Sequence, residues 1–248
     1  AGMPVALAGL AGLTAAVLVC MALGWALERI AYRPLRNAPR LTPLITAIGM
    51  SIVLQNLAMM IWGRNYLTFP SLLPKVNFEL AGAHFTAIQI IIVLVSAATM
   101  GGLLLLVYRT KLGMAMRATA QNPAVASLMG VNINRVIAAA FVIGSALGAL
   151  AGVMVGTYYE IAHYQMGFML GLKAFTAAVL GGIGNLAGAM LGGVLLGLIE
   201  ALGAGYIGDL TGGFLGSHYQ DIFAFVVLIG VLMFKPSGLF GEKTGDRA

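Results

Sequence analysis

RTKLGMAMRATAQNPAVASLMGVNINR, from Arg109 to Arg135, decides how the rest of the chain is read. It is a 27-residue polar interruption in a sequence that is otherwise mostly hydrocarbon. It holds four basic residues (Arg109, Lys111, Arg117, Arg135) and no acidic one, with long apolar runs on both sides. Small and apolar residues stand between the charges, which does not suit a floppy linker. Its middle carries helix punctuation: Asn122 is an N-cap type, Pro123 suits the first helical position, and Gly130 suits the residue just past the end. Upstream, Leu112 to Gln121 forms either a separate turn or an extension of the preceding helix. A short capped helix held between two membrane spans has the shape of a docking element. The alternative is a surface loop held on anionic headgroups by its positive charge.

Working outward, composition sets the class. The chain is 60% hydrophobic and 9% charged, with a mean hydropathy of +0.96. Those values belong to polytopic membrane proteins. The net charge of +6 is therefore no sign of nucleic-acid binding, because basic residues in such a chain report orientation. The 34 glycines suit transmembrane helices whose backbones approach closely. Cys20 is the single cysteine, so no intrachain disulfide is available. The first residue is Ala1, with no basic region before the first apolar run; this is no signal peptide and reads as a fragment lacking its N-terminal part.

At about 20 apolar residues per span, seven membrane segments are predicted: Val5–Leu27, Leu41–Trp62, Phe85–Tyr108, Val136–Tyr158, Gly167–Gly184, Leu186–Tyr206 and Ile222–Phe234. Glu28 and Arg29 close the first. The fifth is short and contains Lys173, so it either spans or is re-entrant. The fold class is all-α, a polytopic transmembrane helical bundle in a single permease-like domain over 1–248. Basic residues concentrate in 28–40, in 109–135 and in the tail 235–248 (Lys235, Lys243, Arg247), against Arg64 and Lys75 on the other side. By the positive-inside rule the central stretch and the C-terminus are cytoplasmic and Ala1 is outside. The outer loop Gly63–His84, with Pro70 and Pro74, is expected to pack on the membrane surface. Trp62 and Tyr66 stand where interfacial aromatics belong.

Gly144, Gly148, Gly152 and Gly156 repeat at spacing four. Gly184, Gly188 and Gly192 form a second ladder, and Gly193 with Gly197 a third. On a helix each is one flat face for close packing. Ionisable groups within the membrane are functional candidates. Lys173 either meets a substrate carboxylate, snorkels outward or forms a structural pair; Glu200 is a partner for it. Glu160 and His163 lie near the outer mouth. Thr46, Ser51, Gln55 and Asn56, with Thr42, put a polar stripe on the second span, facing either a partner helix or a water-filled path. Thr176 is a further path candidate. Gly181 to Asn185 (GGIGN) is either a tight turn or a break that offers backbone groups to a substrate. There is no Walker A motif, no HExxH, no GxSxG and no Cys/His cluster, which argues against ATP binding in that manner, against a hydrolase and against a metal site. No cofactor is expected.

Five stretches together resemble a known family. They are AYRPLRNAP (Ala31–Pro39), LITAIGMSIVLQN (Leu44–Asn56), GMAMRATAQNPAVASLMGVN (Gly113–Asn132), GLKAFTAAVLGGIGNLAGAMLGG (Gly171–Gly193) and PSGLFG (Pro236–Gly241). In this order they resemble the LivH-type permease subunit of bacterial importers for branched-chain amino acids. The family carries a further N-terminal region with an Asn-Phe-Ala-His-Gly-like segment that is absent here. The resemblance implies that Gly113, Arg117, Ala118, Asn122, Ala126 and Gly130 couple the permease to ATP-hydrolysing subunits. It implies two such ATPase chains, a second related permease and a periplasmic amino-acid-binding protein, all at a bacterial inner (plasma) membrane. Leucine, isoleucine or valine would cross by alternating access. Urea or short amides are alternative substrates within the family. An ion-coupled secondary carrier, with Lys173 and Glu200 as its titratable groups, is the rival from another class, and a non-transporting scaffold a third.

Overall fold

The computed structural model describes residues 5–36, 38–39, 42–69, 77–80, 83–210, 220–235 and 237–241. It is almost wholly helical, the all-α polytopic class. Among the described residues, five helices are long and apolar enough to cross a membrane, within residues 7–35, 42–62, 87–109, 133–159 and 186–203. Two shorter apolar helices, Met166–Gly181 and Phe225–Phe234, accompany them. The tail beyond 241 and the outer-loop residues Pro70, Pro74 and Lys75 lie outside the described residues, as does Leu41. The chain falls into two compact units, Ala1–Met166 and Gly167–Ala248.

The first unit begins with α1 (Val5–Leu27). Sequence reading ends this span at Glu28 and Arg29. Instead the chain continues through a π turn (Glu28–Tyr32) and a 3-10 turn (Arg33–Leu35). Pro34 lies in the first turn of the latter, where its missing N–H and fixed φ cost nothing. Next come α2 (Thr42–Trp62), the short strands β1 (Leu67–Thr68), β2 (Asn77–Leu80) and β3 (Ala83–Thr86), and α3 (Ala87–Arg109). Thr86 and Gln89 close a capping box on α3, the Thr86 N–H donating to Gln89 Oε1 at 3.0 Å. Then follow α4 (Lys111–Gln121), α5 (Pro123–Leu128), α6 (Ile133–Tyr159) and β4 (Ile161–Ala162).

α6 starts at Ile133, three residues before the apolar run, because Asn132 caps it, accepting from the Arg135 N–H at 3.2 Å. It ends at Glu160 in the left-handed region (φ 55°). There the outer loop is stitched on: β1 pairs antiparallel with β4, Leu67 opposite Ala162. The Phe69 N–H donates to Glu160 O at 2.9 Å, and Tyr66 stacks on His163 with ring centres 4.4 Å apart. Tyr66 and Trp62 stay exposed.

α1 lies against α6 along the most extensive helix contact of this unit. The approach is tightest at Gly24: a Cβ there would collide with the Ser145 hydroxyl and sit 3.0 Å from the Phe141 carbonyl. Tyr32 packs its ring on Phe141, 4.8 Å between centres, and Ala149 is buried. The glycine ladder of α6 is therefore not where α1 lands. Among the described residues, added Cβ atoms at Gly144, Gly148 and Gly152 would meet nothing within 4 Å, while one at Gly156 would meet the Phe69 ring at 3.3 Å. α1 uses the neighbouring face, through Ser145 and Ala149. Gly148 and Gly152 instead line an apolar cavity with Cys20, Leu54 and Phe69.

The second unit comprises α7 (Met166–Gly181), α8 (Leu186–Leu210), α9 (Gln220–Phe234) and the segment after it. The residues between α7 and α8 make a tight turn with Gly182 (φ 111°) and Gly184 (φ 98°) in the left-handed range. Gly184 thus belongs to the turn and not to a helical ladder. Gly188 and Gly192 do lie at close approaches, a Cβ on the first colliding with Gly181 O and on the second with Ala177 O. Gly193 has only ordinary contact with Ala177 at 3.9 Å, and Gly197 faces open space. Ala177 and Leu196 form the buried apolar contact beside this crossing.

Few large apolar side chains are buried among the described residues, and most are exposed. Lipid is as apolar as leucine, so helices gain little by hiding such side chains from it. Close backbone approach carries the packing. Gly24→Leu is therefore expected to lower stability by about 1–3 kcal/mol through overpacking. Gly12→Leu on the same helix, where a Cβ meets nothing within 4 Å, should leave the thermal unfolding midpoint in detergent unchanged. Equal midpoints for both variants would count against this packing.

Candidate functional site

The central stretch folds as an elbow of two helices. Thr110 breaks the chain at φ −100°, ψ 159°, ending α3 and capping α4 at once. Its Oγ1 accepts from the Gly113 N–H at 3.1 Å. Of the two readings open for Leu112–Gln121, the separate helix is the one formed. Gly113 permits the fold-back: a Cβ there would strike the Leu106 and Val107 carbonyls. Arg117 is exposed on α4, its guanidinium 5.1 Å from the centre of the Tyr108 ring on α3, a cation–π contact that orients an otherwise free side chain. Ala118 O closes α4 by accepting from the Asn122 N–H at 3.1 Å.

Asn122 then caps α5, its Oδ1 accepting from the Val125 N–H at 3.1 Å, with Pro123 in the first turn. Gly130 stands just past the end at φ 81°, and the Val131 N–H reaches back to Ala126 O at 3.1 Å, a left-handed helix stop. Ala126 is buried at 4% exposure and seats the helix. The opposite face is bare: Leu128 and Met129 are 85% and 80% exposed, with Val125 beside them. A capped elbow thus presents an apolar tip within a stretch that also carries Lys111, Arg117 and Arg135.

Beneath it lies a contact that sequence reading missed. Glu28 is 1% exposed. Its carboxylate pairs with Arg36, which also donates to the Asn134 side chain on the first turn of α6. The end of α1 is thereby bolted to the helix that follows the elbow. Arg36, Asn134, Thr119, Pro123 and Ser127 line a cavity of about 820 Å³ behind α5. The signal was present in the sequence, since Glu28 is the lone acid in a segment otherwise holding four arginines. Its burial depends on the π turn, which sequence spacing does not announce.

The remaining candidates separate. On α2, Thr46 Oγ1 donates to Thr42 O (2.9 Å), Gln55 Nε2 to Ser51 Oγ (3.0 Å) and Asn56 Nδ2 to Ile52 O (2.8 Å). The stripe thus has internal partners along its own helix. Thr176 is buried and donates to Leu172 O at 2.9 Å. Lys173 and Glu200 come together, Nζ to Oε2 at 3.0 Å. Asn185 caps α8 by accepting from the Gly188 N–H and donates to Phe240 O, both at 3.0 Å. Leu180 O and Gly181 O accept from the Leu239 and Phe240 N–H groups at 2.9 and 3.0 Å. The two carbonyls that end α7 therefore hold the segment after α9. Of the open readings of GGIGN, the tight turn is the one formed.

Apolar helices of spanning length, interrupted by a charged, capped elbow, define a polytopic membrane protein. The chain belongs to the family described as "Branched-chain amino acid transport system / permease component", whose model matches residues 1–232. It is 46% identical over 243 residues to the high-affinity branched-chain amino acid transport system permease protein BraD of Pseudomonas aeruginosa, covering 96% of this chain and 76% of that one. It is 43% identical over 241 residues, with the same shares, to the corresponding LivH protein of Escherichia coli K12. More distantly, it is 31% identical over 201 residues to the autoinducer 2 import system permease protein LsrC of an Enterobacter species, covering 77% of this chain and 54% of that one. No solved structure matches. Membership makes this a membrane transport component and not an enzyme.

Removing the buried acid should be costly. Glu28→Ala strands Arg36 and is expected to destabilise the first unit by on the order of 3 kcal/mol. Arg36→Met/Glu28→Leu, which removes both charges, should recover most of the loss. Thermal unfolding of the purified chain in detergent reads both, and a stable Glu28→Ala variant would refute the clamp.

Proposed function

We propose that this chain is the membrane-spanning permease subunit of an ATP-driven importer for branched-chain amino acids at the bacterial inner membrane. The substrate class follows the names of its relatives, and the membrane follows the apolar helices. Two ATP-hydrolysing chains, a second related permease and a periplasmic amino-acid-binding protein complete the machine. The central stretch (109–135) and the C-terminal tail (235–248) face the cytoplasm, as the distribution of Lys and Arg implies. Gly113, Arg117, Ala118, Asn122, Ala126 and Gly130 form the coupling element.

The observation that carries this is the bare tip of the elbow. Leu128 and Met129 are the most exposed large apolar side chains of the central stretch, yet they sit in its polar part, between basic residues. An apolar anchor ringed by charge is how interfaces are built, with the anchor supplying affinity and the rim supplying specificity. Each part of the elbow is held rigidly: Gly113 permits the fold-back, Asn122 and Gly130 terminate α5, and Ala126 seats it. A rigid element can act as a lever, which a loose loop on headgroups cannot. ATP-driven closure of the ATPases displaces this lever. Alternating access follows if the ATPases bind one permease state better than the other.

Within the membrane, α2 with Thr46, Ser51, Gln55 and Asn56 borders the substrate path. Its polar groups already have partners on their own helix, so they offer a wettable wall without stranded donors. Arg117→Glu reverses the rim charge and should reduce co-purification of the ATPase chains by about tenfold or more, the scale of a like-charge juxtaposition across an interface. Leu128→Asp should act alike, and membrane insertion should be intact for both. ATP-driven leucine uptake at the wild-type rate in both variants would sink the assignment.

A further inference from the structure

Lys173 and Glu200 are the only charged side chains of α7 and of α8 short of Asp209. Lys173 stands eight residues before Gly181, and Glu200 fourteen after Leu186. At about 1.5 Å per residue they lie about 12 Å and about 21 Å along their helices from the turn that joins them. Both distances fall inside a hydrocarbon layer about 30 Å thick. An ionised pair there is expensive and has a reason to exist.

The geometry shows what is unfinished in it. Glu200 Oε2 accepts from Lys173 Nζ at 3.0 Å. Glu200 Oε1 is buried and accepts no hydrogen bond among the described residues. A carboxylate has about four acceptor sites, and a buried oxygen left idle forfeits the hydration it had in the open chain. A purely structural pair on adjoining helices gains nothing by leaving one oxygen empty. The two side chains are 29% and 18% exposed, so the pair lies close beneath a surface while Oε1 itself is enclosed.

Resting on the branched-chain amino-acid reading above, we propose that Glu200 Oε1 takes the α-ammonium group of the amino acid in transit. Lys173 is the positioning residue, holding the carboxylate by Oε2 and so leaving Oε1 as the open acceptor when the site admits substrate. An α-amino acid is a zwitterion, and its ammonium brings three N–H donors to an acceptor that lacks a donor. The substrate class this selects is primary ammonium compounds, which separates amino acids from neutral amides. The side chain of leucine, isoleucine or valine needs no polar partner at that depth, and α7 also carries exposed apolar residues such as Leu172 and Phe175.

The test uses the complete transporter in proteoliposomes: permease pair, ATPase chains and binding protein. Leucine moved per ATP hydrolysed is measured alongside ATPase association and thermal midpoint. Glu200→Gln is expected to lower that ratio by about tenfold or more, the scale of a lost charge-assisted hydrogen bond. Lys173→Met/Glu200→Gln leaves no unpaired charge, so it guards against a folding failure, and it should stay as low. The exchange Lys173→Glu/Glu200→Lys should also stay low, because it keeps an ion pair but moves the acceptor from α8 to α7. Recovery of either double variant to within about twofold of wild type would make the pair structural only and overturn the inference, with the substrate reading left standing. A wild-type complex that hydrolyses ATP with bound partners yet carries no leucine overturns the substrate reading and this inference with it.

Discussion

A backbone within hydrocarbon must find its hydrogen-bond partners inside the chain, because no water is there to supply them. That constraint accounts for both the helices and the interruptions. Along a helix every peptide is paired, so apolar length is all that a span needs. Where a helix stops, its last groups are orphans. The chain meets each stop with a specific device. Thr110, Asn122 and Asn132 supply side-chain caps in succession through the central stretch. At the end of α7 the orphan carbonyls of Leu180 and Gly181 are taken by the backbone of Leu239 and Phe240. The same residues that end helices therefore shape the elbow and tie down the segment after α9.

A second consequence concerns packing. Helices in lipid gain little from burying leucine, so contact strength depends on how closely backbones approach. Gly24 against Ser145 in the first unit, and Gly181 against Gly188 in the second, are the sites of closest approach. Exposed apolar surface elsewhere is the ordinary condition of a membrane face. The exposed apolar tip at Leu128 and Met129 is different, since it lies in the polar central stretch and not along a spanning helix. The same exposure thus has two meanings, decided by where along the chain it falls.

Charge follows a similar division. Arg117 leans on Tyr108 and remains available on the elbow, whereas Arg36 is committed to Glu28 and Asn134. Counting both as positive charges beside a membrane is sufficient for orientation but hides their separate work. One stays on the exposed face of α4 and the other bolts the end of α1 to α6. Lys173 is committed as well, to a carboxylate that keeps one oxygen idle.

The sequence by itself determined the membrane class and where the apolar helices among the described residues lie, five of spanning length and two shorter, with limits displaced by about one turn at most, because hydrophobic length is a local property. It also determined the caps of the elbow: Asn122, Pro123 and Gly130 act over only a few residues, and they stand in the structure where their types require. The family was legible in the Gly113–Asn132 and Gly171–Gly193 stretches. Only the tertiary structure decided which glycines touch. Spacing four marks a helix face but not what lands on it, so the Gly144–Gly152 ladder drew attention while the lone Gly24 made the contact. Tertiary structure also decided that Gly184 and Asn185 hold a turn and that Glu28 is buried. These depend on segments about 55 and 106 residues apart, Asn185 with Phe240 and Glu28 with Asn134 through Arg36. No local propensity encodes such meetings, because they follow from where whole helices end in space.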